Sequence, residues 1–336
     1  MNKALEKRLL ALLNRRKTQK AFRIVQNSSH LIDFCSNDYL SLARSSELQK
    51  NITEHYKNQP LGATGSRLLS GHYPLLDTLE EKLAQFHQAE AALVFNSGYN
   101  ANLGIISAIP RRSDVILYDE LIHASIHDGI RLSQAISHPF PHNNVEALET
   151  LLSENAQKTI FVIVESIYSM DGDAARLLSI QELCQKYDAN LIVDEAHSTG
   201  IYGENGAGLC VELGIEKKIF ARIHTFGKAI GTHGAAILGA QVLKDYLINY
   251  ARPLIYTTAS SPHTTLSTLS AYQLLEKKGN LYIQELKERI TFFQEQISKQ
   301  SKYIYIKSDS PIQCLLVPGN EAVTQLSTLL QEEGYD

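Results

Sequence analysis

A lysine among small residues, Lys228 in Thr225-Phe-Gly-Lys-Ala-Ile-Gly231, and an acid upstream of it, Asp194 in Val193-Asp-Glu-Ala-His-Ser-Thr-Gly200, carry the most informative chemistry of this chain. An amine adds to an aldehyde to form a Schiff base. A carboxylate at a strand end can keep a pyridine nitrogen protonated, and a pyridinium ring withdraws electrons best. Together the two residues point to pyridoxal 5'-phosphate. Asp194 follows Leu191-Ile-Val193, a short aliphatic run that reads as a buried strand. Its carboxylate then emerges at the C-terminal end, where open α/β sheets bind ligands. His197 stands three residues on, within reach of the cofactor's phenolic oxygen. Lys228 follows a second apolar stretch, and Gly227 and Gly231 leave room beside it for a planar ring.

Further candidates follow other strands. Asn96-Ser-Gly-Tyr-Asn-Ala-Asn102 leaves one strand and opens a helix, so the N–H groups of Gly98 and Tyr99 lie at a helix N-terminus, where anions bind. Thr225 offers a hydroxyl to the same phosphate. His123, in Tyr118-Asp-Glu-Leu-Ile-His-Ala-Ser125, has a flat ring that can stack on a pyridine. Ser169, in Glu165-Ser-Ile-Tyr-Ser-Met-Asp-Gly-Asp173, can hydrogen-bond the ring or its phenolic oxygen. None of these is specific alone. Their common position after successive strands brings them to one sheet edge.

The elements that must position them are readable from periodicity. Apolar residues Leu5, Leu9, Leu12 and Leu13 against basic neighbours predict an amphipathic helix running to about Phe22, followed by a turn-rich connector from Ile32 to Leu42. A Gly-rich loop, Gly62-Ala-Thr-Gly-Ser-Arg67, leads into a helix from Pro74 to His87. Short apolar runs at 91–95, 115–118, 160–164, 191–193, 219–224 and 235–238 alternate with helical stretches near 100–109, 122–133, 145–154 and 177–187. Such alternation predicts an α/β fold with a mostly parallel central sheet flanked by helices. Beyond residue 240 come helices at 241–250, 261–277 and 280–299, then strands at Tyr303–Ile306 and Ile312–Val317, a smaller α+β domain. The expected organisation is an N-terminal helix and connector over 1–45, a large cofactor-binding domain over 46–240 and a small domain over 241–336.

The 336 residues suffice for about two domains. A formal charge of -4 gives no general pull toward nucleic acid or an anionic membrane. Cys35, Cys184, Cys210 and Cys314 lack the paired spacing of a zinc site or redox disulfide, so they read as thiols in a reducing compartment. No apolar run reaches the length of a membrane span, and the start lacks a signal-peptide core. The expectation is a cytoplasmic protein with no metal, nucleic-acid or membrane partner.

Seven stretches in order, Ser36-Asn-Asp-Tyr-Leu40, Gly62 to Gly71, Phe95-Asn-Ser-Gly-Tyr99, Asp119 to Ser125, Ser169-Met-Asp-Gly-Asp173, Asp194 to Gly200 and Thr225-Phe-Gly-Lys228, cover most of the chain. It resembles the α-oxoamine synthases, pyridoxal phosphate enzymes of fold type I, and among them the branch that makes 8-amino-7-oxononanoate for biotin. The resemblance implies that Lys228 is the Schiff-base lysine and that Asp194 pairs with the ring nitrogen. It puts His197 and Ser169 at the phenolic oxygen, His123 on the ring, and Gly98, Tyr99 and Thr225 at the phosphate. Thr257 and Thr258 then reach a neighbouring subunit's phosphate, so a homodimer with shared active sites is implied. Arg23, Asn37 and Ser66 fall to the substrates, Arg23 to the acyl chain, and Ser66 favours alanine over glycine.

The implied reaction joins L-alanine to the acyl group of pimeloyl-CoA or pimeloyl carrier protein, with loss of CO2 and release of the thiol. By the same resemblance the C-terminal domain would continue into a strand whose arginine holds the amino-acid carboxylate. The sequence stops at Gly334-Tyr-Asp336, so the small domain is expected to be incomplete, and Ala207 replaces an arginine of many relatives. The competing expectations are another α-oxoamine synthase, of the 2-amino-3-ketobutyrate CoA ligase or serine palmitoyltransferase type, and a catalytically silent cofactor-bearing dimer.

Overall fold

The structure, a computed structural model, describes residues 2–25, 27–57, 59–299 and 304–336. In chain order its helices and strands are α1 (Lys3–Thr18), α2 (Ser46–His55), α3 (Pro74–Phe86), β1 (Ala91–Phe95), α4 (Gly98–Ala108), β2 (Val115–Asp119), α5 (Ala124–Ser133), β3 (Ile136–Phe140), α6 (Val145–Glu154), β4 (Ile160–Glu165), α7 (Leu177–Lys186), β5 (Asn190–Asp194), α8 (Leu209–Glu212), β6 (Ala221–Thr225), β7 (Ala235–Gly239), α9 (Gln241–Tyr250), α10 (Arg252–Ile255), α11 (Pro262–Ile297), β8 (Ile304–Ile306), β9 (Cys314–Leu316) and α12 (Asn320–Glu332).

Two compact units share these elements. One comprises Met1–Ser36, Gln294–Ile306 and Cys314–Asp336, the other Asn37–Phe293 with Lys307–Gln313. The larger unit is built on a seven-stranded sheet of order β1-β7-β6-β5-β4-β2-β3. Strands β6, β5, β4, β2 and β3 are parallel, and β7 runs antiparallel to both β1 and β6. Two reversals cancel, so β1 points the same way as β6. The C-terminal ends of β1, β2, β4, β5 and β6 therefore share one edge with the start of β7.

These strands bury both faces, which is why most of them read as apolar runs, although β6 also buries Arg222 and His224. Successive residues divide between two cores: Ile116, Ile163 and Ile192 join Ile105, Ile106 and Ile126 of α4 and α5, whereas Leu117, Val162, Val164 and Val193 join Leu148, Leu152 and Ile180 of α6 and α7. That division is the period of two expected of a strand. Each fully buried Leu, Ile or Val contributes about 1.5–3 kcal/mol to holding the layers together.

Three differences from the sequence reading have physical causes. Strand β3 adds a seventh member that the reading did not include; its Ile-Ser-His-Pro-Phe sequence suits an edge, where it pairs only with β2. The two long helices expected at 261–277 and 280–299 form one, α11. Gly279 does not break it, because that glycine serves a close approach: a Cβ there would meet the Asn205 carbonyl oxygen at 2.6 Å. The short helix α2 is nearly all polar, with Leu48 alone fully buried.

In the smaller unit α1 ends at Thr18, short of Phe22, and none of its residues is buried. Ile32 forms a bridge with Tyr335, and the Asp336 side chain accepts the N–H groups of Phe34 and Cys35 at 2.7 and 3.0 Å. Strands β8 and β9 pair antiparallel. Tyr303, expected to open the first of them, lies outside the described residues. Among the described residues no helix is long and apolar enough to cross a membrane.

Candidate active site

At the shared strand edge lies a cleft of about 250 Å³, lined by residues that include Gly98, Tyr99, His123, Asp194, His197, Thr225 and Lys228. A larger hollow of about 510 Å³ abuts it at His233. No lysine, arginine or carboxylate lines that hollow, so chemistry rather than volume selects the cleft.

Lys228 sits in the link that carries β6 back into β7. Phe226 and Thr232 fasten this link, with Phe226 N–H on the Gly234 carbonyl at 2.9 Å and Thr232 N–H on the Phe226 carbonyl at 2.8 Å. The Lys228 amine lies 2.7 Å from His197 Nε2, and His197 Nδ1 lies 2.8 Å from the Tyr39 hydroxyl. A protonated lysine can only donate, so Nε2 accepts and the ring proton belongs on Nδ1. That proton goes to the Tyr39 oxygen, and the Tyr39 O–H goes to Asn37 Oδ1 at 3.0 Å. Burial, then the charge of Lys228, holds His197 down at about 3, so its ring stays neutral. Burial also lowers the Lys228 amine from its ordinary value, against the opposing pull of Asp194 and Glu165. An amine so placed gives up its proton more readily than one in water.

Asp194 ends β5 and is buried. Its Oδ1 accepts the Ala196 N–H at 2.9 Å and its Oδ2 accepts the Asn102 amide at 2.7 Å. The Asn102 amide also donates to Ser125 Oγ at 3.1 Å, and Ser125 lies 2.8 Å from His123 Nδ1. His123 caps the N-terminus of α5, taking the Ser125 N–H on Nδ1. A chain of side chains from three elements thus sets the carboxylate and the imidazole relative to each other. Sequence reasoning missed Asn102, Ser125, Tyr39, Glu165 and His233. Only Glu165 had a usable signal, as a strand-end acid level with Asp194.

At the other end of the cleft, Ser97 caps α4 through the Asn100 N–H, leaving the N–H groups of Gly98 and Tyr99 at the helix start. Thr225 approaches so closely that a Cβ on Gly98 would lie 2.6 Å from its Cγ2. The Thr225 hydroxyl is buried without a hydrogen-bond partner. A helix start, a glycine-made cradle and an orphaned hydroxyl together fit a phosphate. The same cleft holds the Lys228 amine and the Asp194 carboxylate, and this set of groups fits pyridoxal phosphate.

The remaining expected residues divide between the cleft and other places. Asn37 lines the cleft. Ser169 stands in the turn after β4 and does not line it. Ser66, Thr257 and Thr258 are also absent from the lining, but their two segments pack on each other: Ala259 N–H donates to the Gly65 carbonyl at 2.9 Å, and Asn96 holds the Thr258 carbonyl at 2.7 Å. Arg23 belongs to the smaller unit, exposed beyond α1. Among the described residues no cluster of three or more His, Cys, Asp or Glu is placed to hold a metal.

Comparison with known proteins agrees with this geometry. The model of the family described as aminotransferase class I and II matches residues 29–335. The 8-amino-7-oxononanoate synthase of Emericella nidulans is 38% identical over 361 residues, spanning 99% of this chain and 86% of that protein. The crystal structure of 8-amino-7-oxononanoate synthase from Francisella tularensis is 30% identical with a TM-score of 0.78, covering 91% of this chain and 87% of that one. The fold is also that of serine palmitoyltransferase from S. paucimobilis, at 24% identity and a TM-score of 0.87 over 97% of this chain and 89% of that one. By fold, cleft and relatives, the chain belongs to the class I and II aminotransferase family and, within it, to the α-oxoamine synthases, pyridoxal phosphate-dependent acyltransferases.

Proposed function

We propose that this chain condenses L-alanine with the acyl group of a pimeloyl thioester, carried by CoA or by a carrier protein, to give 8-amino-7-oxononanoate, CO2 and the free thiol in cytoplasmic biotin synthesis. The observation that carries the reading is that an amine of lowered basicity, Lys228, and a doubly hydrogen-bonded carboxylate, Asp194, open into one cleft with a phosphate-shaped end. The relatives named for this reaction support the choice of substrates.

In this reading the cofactor supplies an electron sink that stabilises negative charge at the α-carbon of the bound amino acid. Lys228 would anchor the cofactor, and its free amine is the group placed to take the α-proton of alanine; its lowered basicity suits it to that exchange near neutral pH. His197 orients the Lys228 amine and stays uncharged throughout. Asp194 holds the ring nitrogen in its protonated form. His123, which lines the cleft, would lie against one face of the ring. Thr225 and the N–H groups of Gly98 and Tyr99 hold the phosphate, with Ser169 assigned to the phenolic oxygen. Asn37 faces the amino acid and Arg23 the acyl chain. Thr257 and Thr258, which do not line the chain's own cleft, complete the cleft of a second copy, which makes the active form a homodimer, and Ser66 favours alanine over glycine.

The test is chemical. Purified chain supplied with pyridoxal phosphate should turn yellow, and borohydride should fix the cofactor to a single peptide containing Lys228. The same preparation should release CoA from pimeloyl-CoA only when L-alanine is present. Release with glycine or L-serine in place of alanine would move the chain to another branch of the family, and a colourless protein would end the proposal.

A further inference from the structure

Glu165 ends β4 as Asp194 ends β5, and the parallel register sets the two residues side by side. Both are buried, at 3% and 5% exposure, and both line the cleft. Two carboxylates held this way cannot both ionise without large mutual repulsion, so such a pair keeps one proton between them.

The hydrogen bonds decide where that proton rests. Asp194 receives a donor on each oxygen, the Ala196 N–H and the Asn102 amide. Glu165 receives the His123 N–H on Oε1 at 2.5 Å. More donors favour the charged form at Asp194. The surrounding charges agree. Lys228 faces both carboxylates, and one cation balances one anion. Asp119, which also faces Glu165, is already engaged by His142 at 3.0 Å and by the N–H groups of Leu121 and Asn143. Tyr168 also faces Glu165, and His123 and His197 line the same cleft.

We infer that Glu165 is the neutral member of a one-proton pair with Asp194, a positioning residue that leaves Asp194 the charged carboxylate and anchors His123 through its backbone. The inference rests on the functional reading above for its importance to catalysis, not for the location of the proton. Burial, and then the neighbouring Asp194, raise the Glu165 carboxyl well above the usual carboxylate range. Ionisation of Glu165 at alkaline pH would put a second negative charge beside Asp194 and strengthen the hold of the pair on the Lys228 proton.

Two measurements test this. Infrared difference spectra of the full chain, taken across pH before cofactor is added, should contain the carbonyl stretch of a protonated buried carboxyl at neutral pH. It should disappear on alkaline titration and shift when glutamate, but not aspartate, carries carbon-13. In the holoenzyme, Glu165→Gln keeps a neutral side chain whose oxygen accepts the His123 N–H, and it should retain kcat within about threefold while losing the alkaline limb of the pH profile. Glu165→Ala should lower kcat by about ten- to a hundredfold with KM little changed, as misplacement of a contact residue does. A band that follows aspartate labelling, the lack of any protonated carboxyl at neutral pH, or a Glu165→Gln enzyme as impaired as Glu165→Ala and still showing the limb would each overturn the assignment. A glutamate band in a chain that takes up no cofactor would leave this inference standing and remove the function.

Discussion

Lys228 is surrounded by groups that pull its proton in opposite directions, burial toward release and the carboxylates toward retention. The outcome depends on how many of those carboxylates are charged, which makes residues without catalytic motifs as consequential as the lysine itself. At the phosphate end the decisive atom is one that is missing by design of the side chain: Gly98 has no Cβ, and Thr225 fills the space. Gly98→Ala should therefore push the start of α4 away from the end of β6, an overpacking that costs about 1–3 kcal/mol of stability, and should weaken the hold on the cofactor. Equilibrium dialysis with pyridoxal phosphate checks it; unchanged affinity would mean that the helix start is not the phosphate site. At this scale the sequence was informative wherever a residue ended an apolar run. Lys228, Asp194, His197 and His123 stood out for that reason. Asn102 and Ser125 did not, because a polar side chain inside a helix is ordinary until its partner on another element is known.

The elements are also tied to one another outside the cleft. His142, beyond the end of β3, bridges Asp119 at the end of β2 and Asp173 in the turn after β4, at 3.0 and 2.8 Å. Burial lowers its basicity, but the hydrogen bonds and charges of Asp119 and Asp173 outweigh burial and raise it from the ordinary histidine value. A group raised in the folded state stabilises below the unfolded value of 6.5 and loses that contribution as pH climbs through the folded value. His142→Gln should thus cost about 1 kcal/mol near pH 6, a figure reduced for the ring's partial exposure, and less toward alkaline pH. Denaturation midpoints of both proteins across that range settle the point, and a gap that stays constant with pH would count against the bridge. The elements themselves were legible in proportion to their burial. Strands buried on both faces announce themselves as apolar runs, whereas β3, with Pro139 and two polar residues, carries no such pattern. Gly279 misled in the opposite sense, since a residue that usually interrupts a helix was there to let the Asn205 backbone approach.

For the whole molecule, a formal charge of -4 gives no general pull toward nucleic acid or an anionic membrane. If the segment around Thr257 and Thr258 serves the neighbouring cleft, two separately defective chains should rescue each other. A Lys228→Ala chain mixed with a Thr257→Ala, Thr258→Ala chain places both lesions in one cleft of each hybrid and none in the other. Random assortment then returns about a quarter of the wild-type activity, measured as alanine-dependent CoA release after refolding the mixture. No recovery would show that each chain uses its own threonines. This arrangement was legible only through resemblance, because nothing in the spacing of Thr257 says that it acts on another chain.

The reversal of β7 has one last consequence. A crossover helix after β6 would have carried the lysine segment off across a face of the sheet, free to drift at its far end. Turning straight back instead moors the segment at both ends to the same rim, like a footbridge whose two piers stand on one bank. If Lys228 serves as proposed, its nitrogen would travel between cofactor and substrate on its own flexible stem while the peptide beneath is held from both sides, and a single cut in that short span would let the whole crossing swing loose.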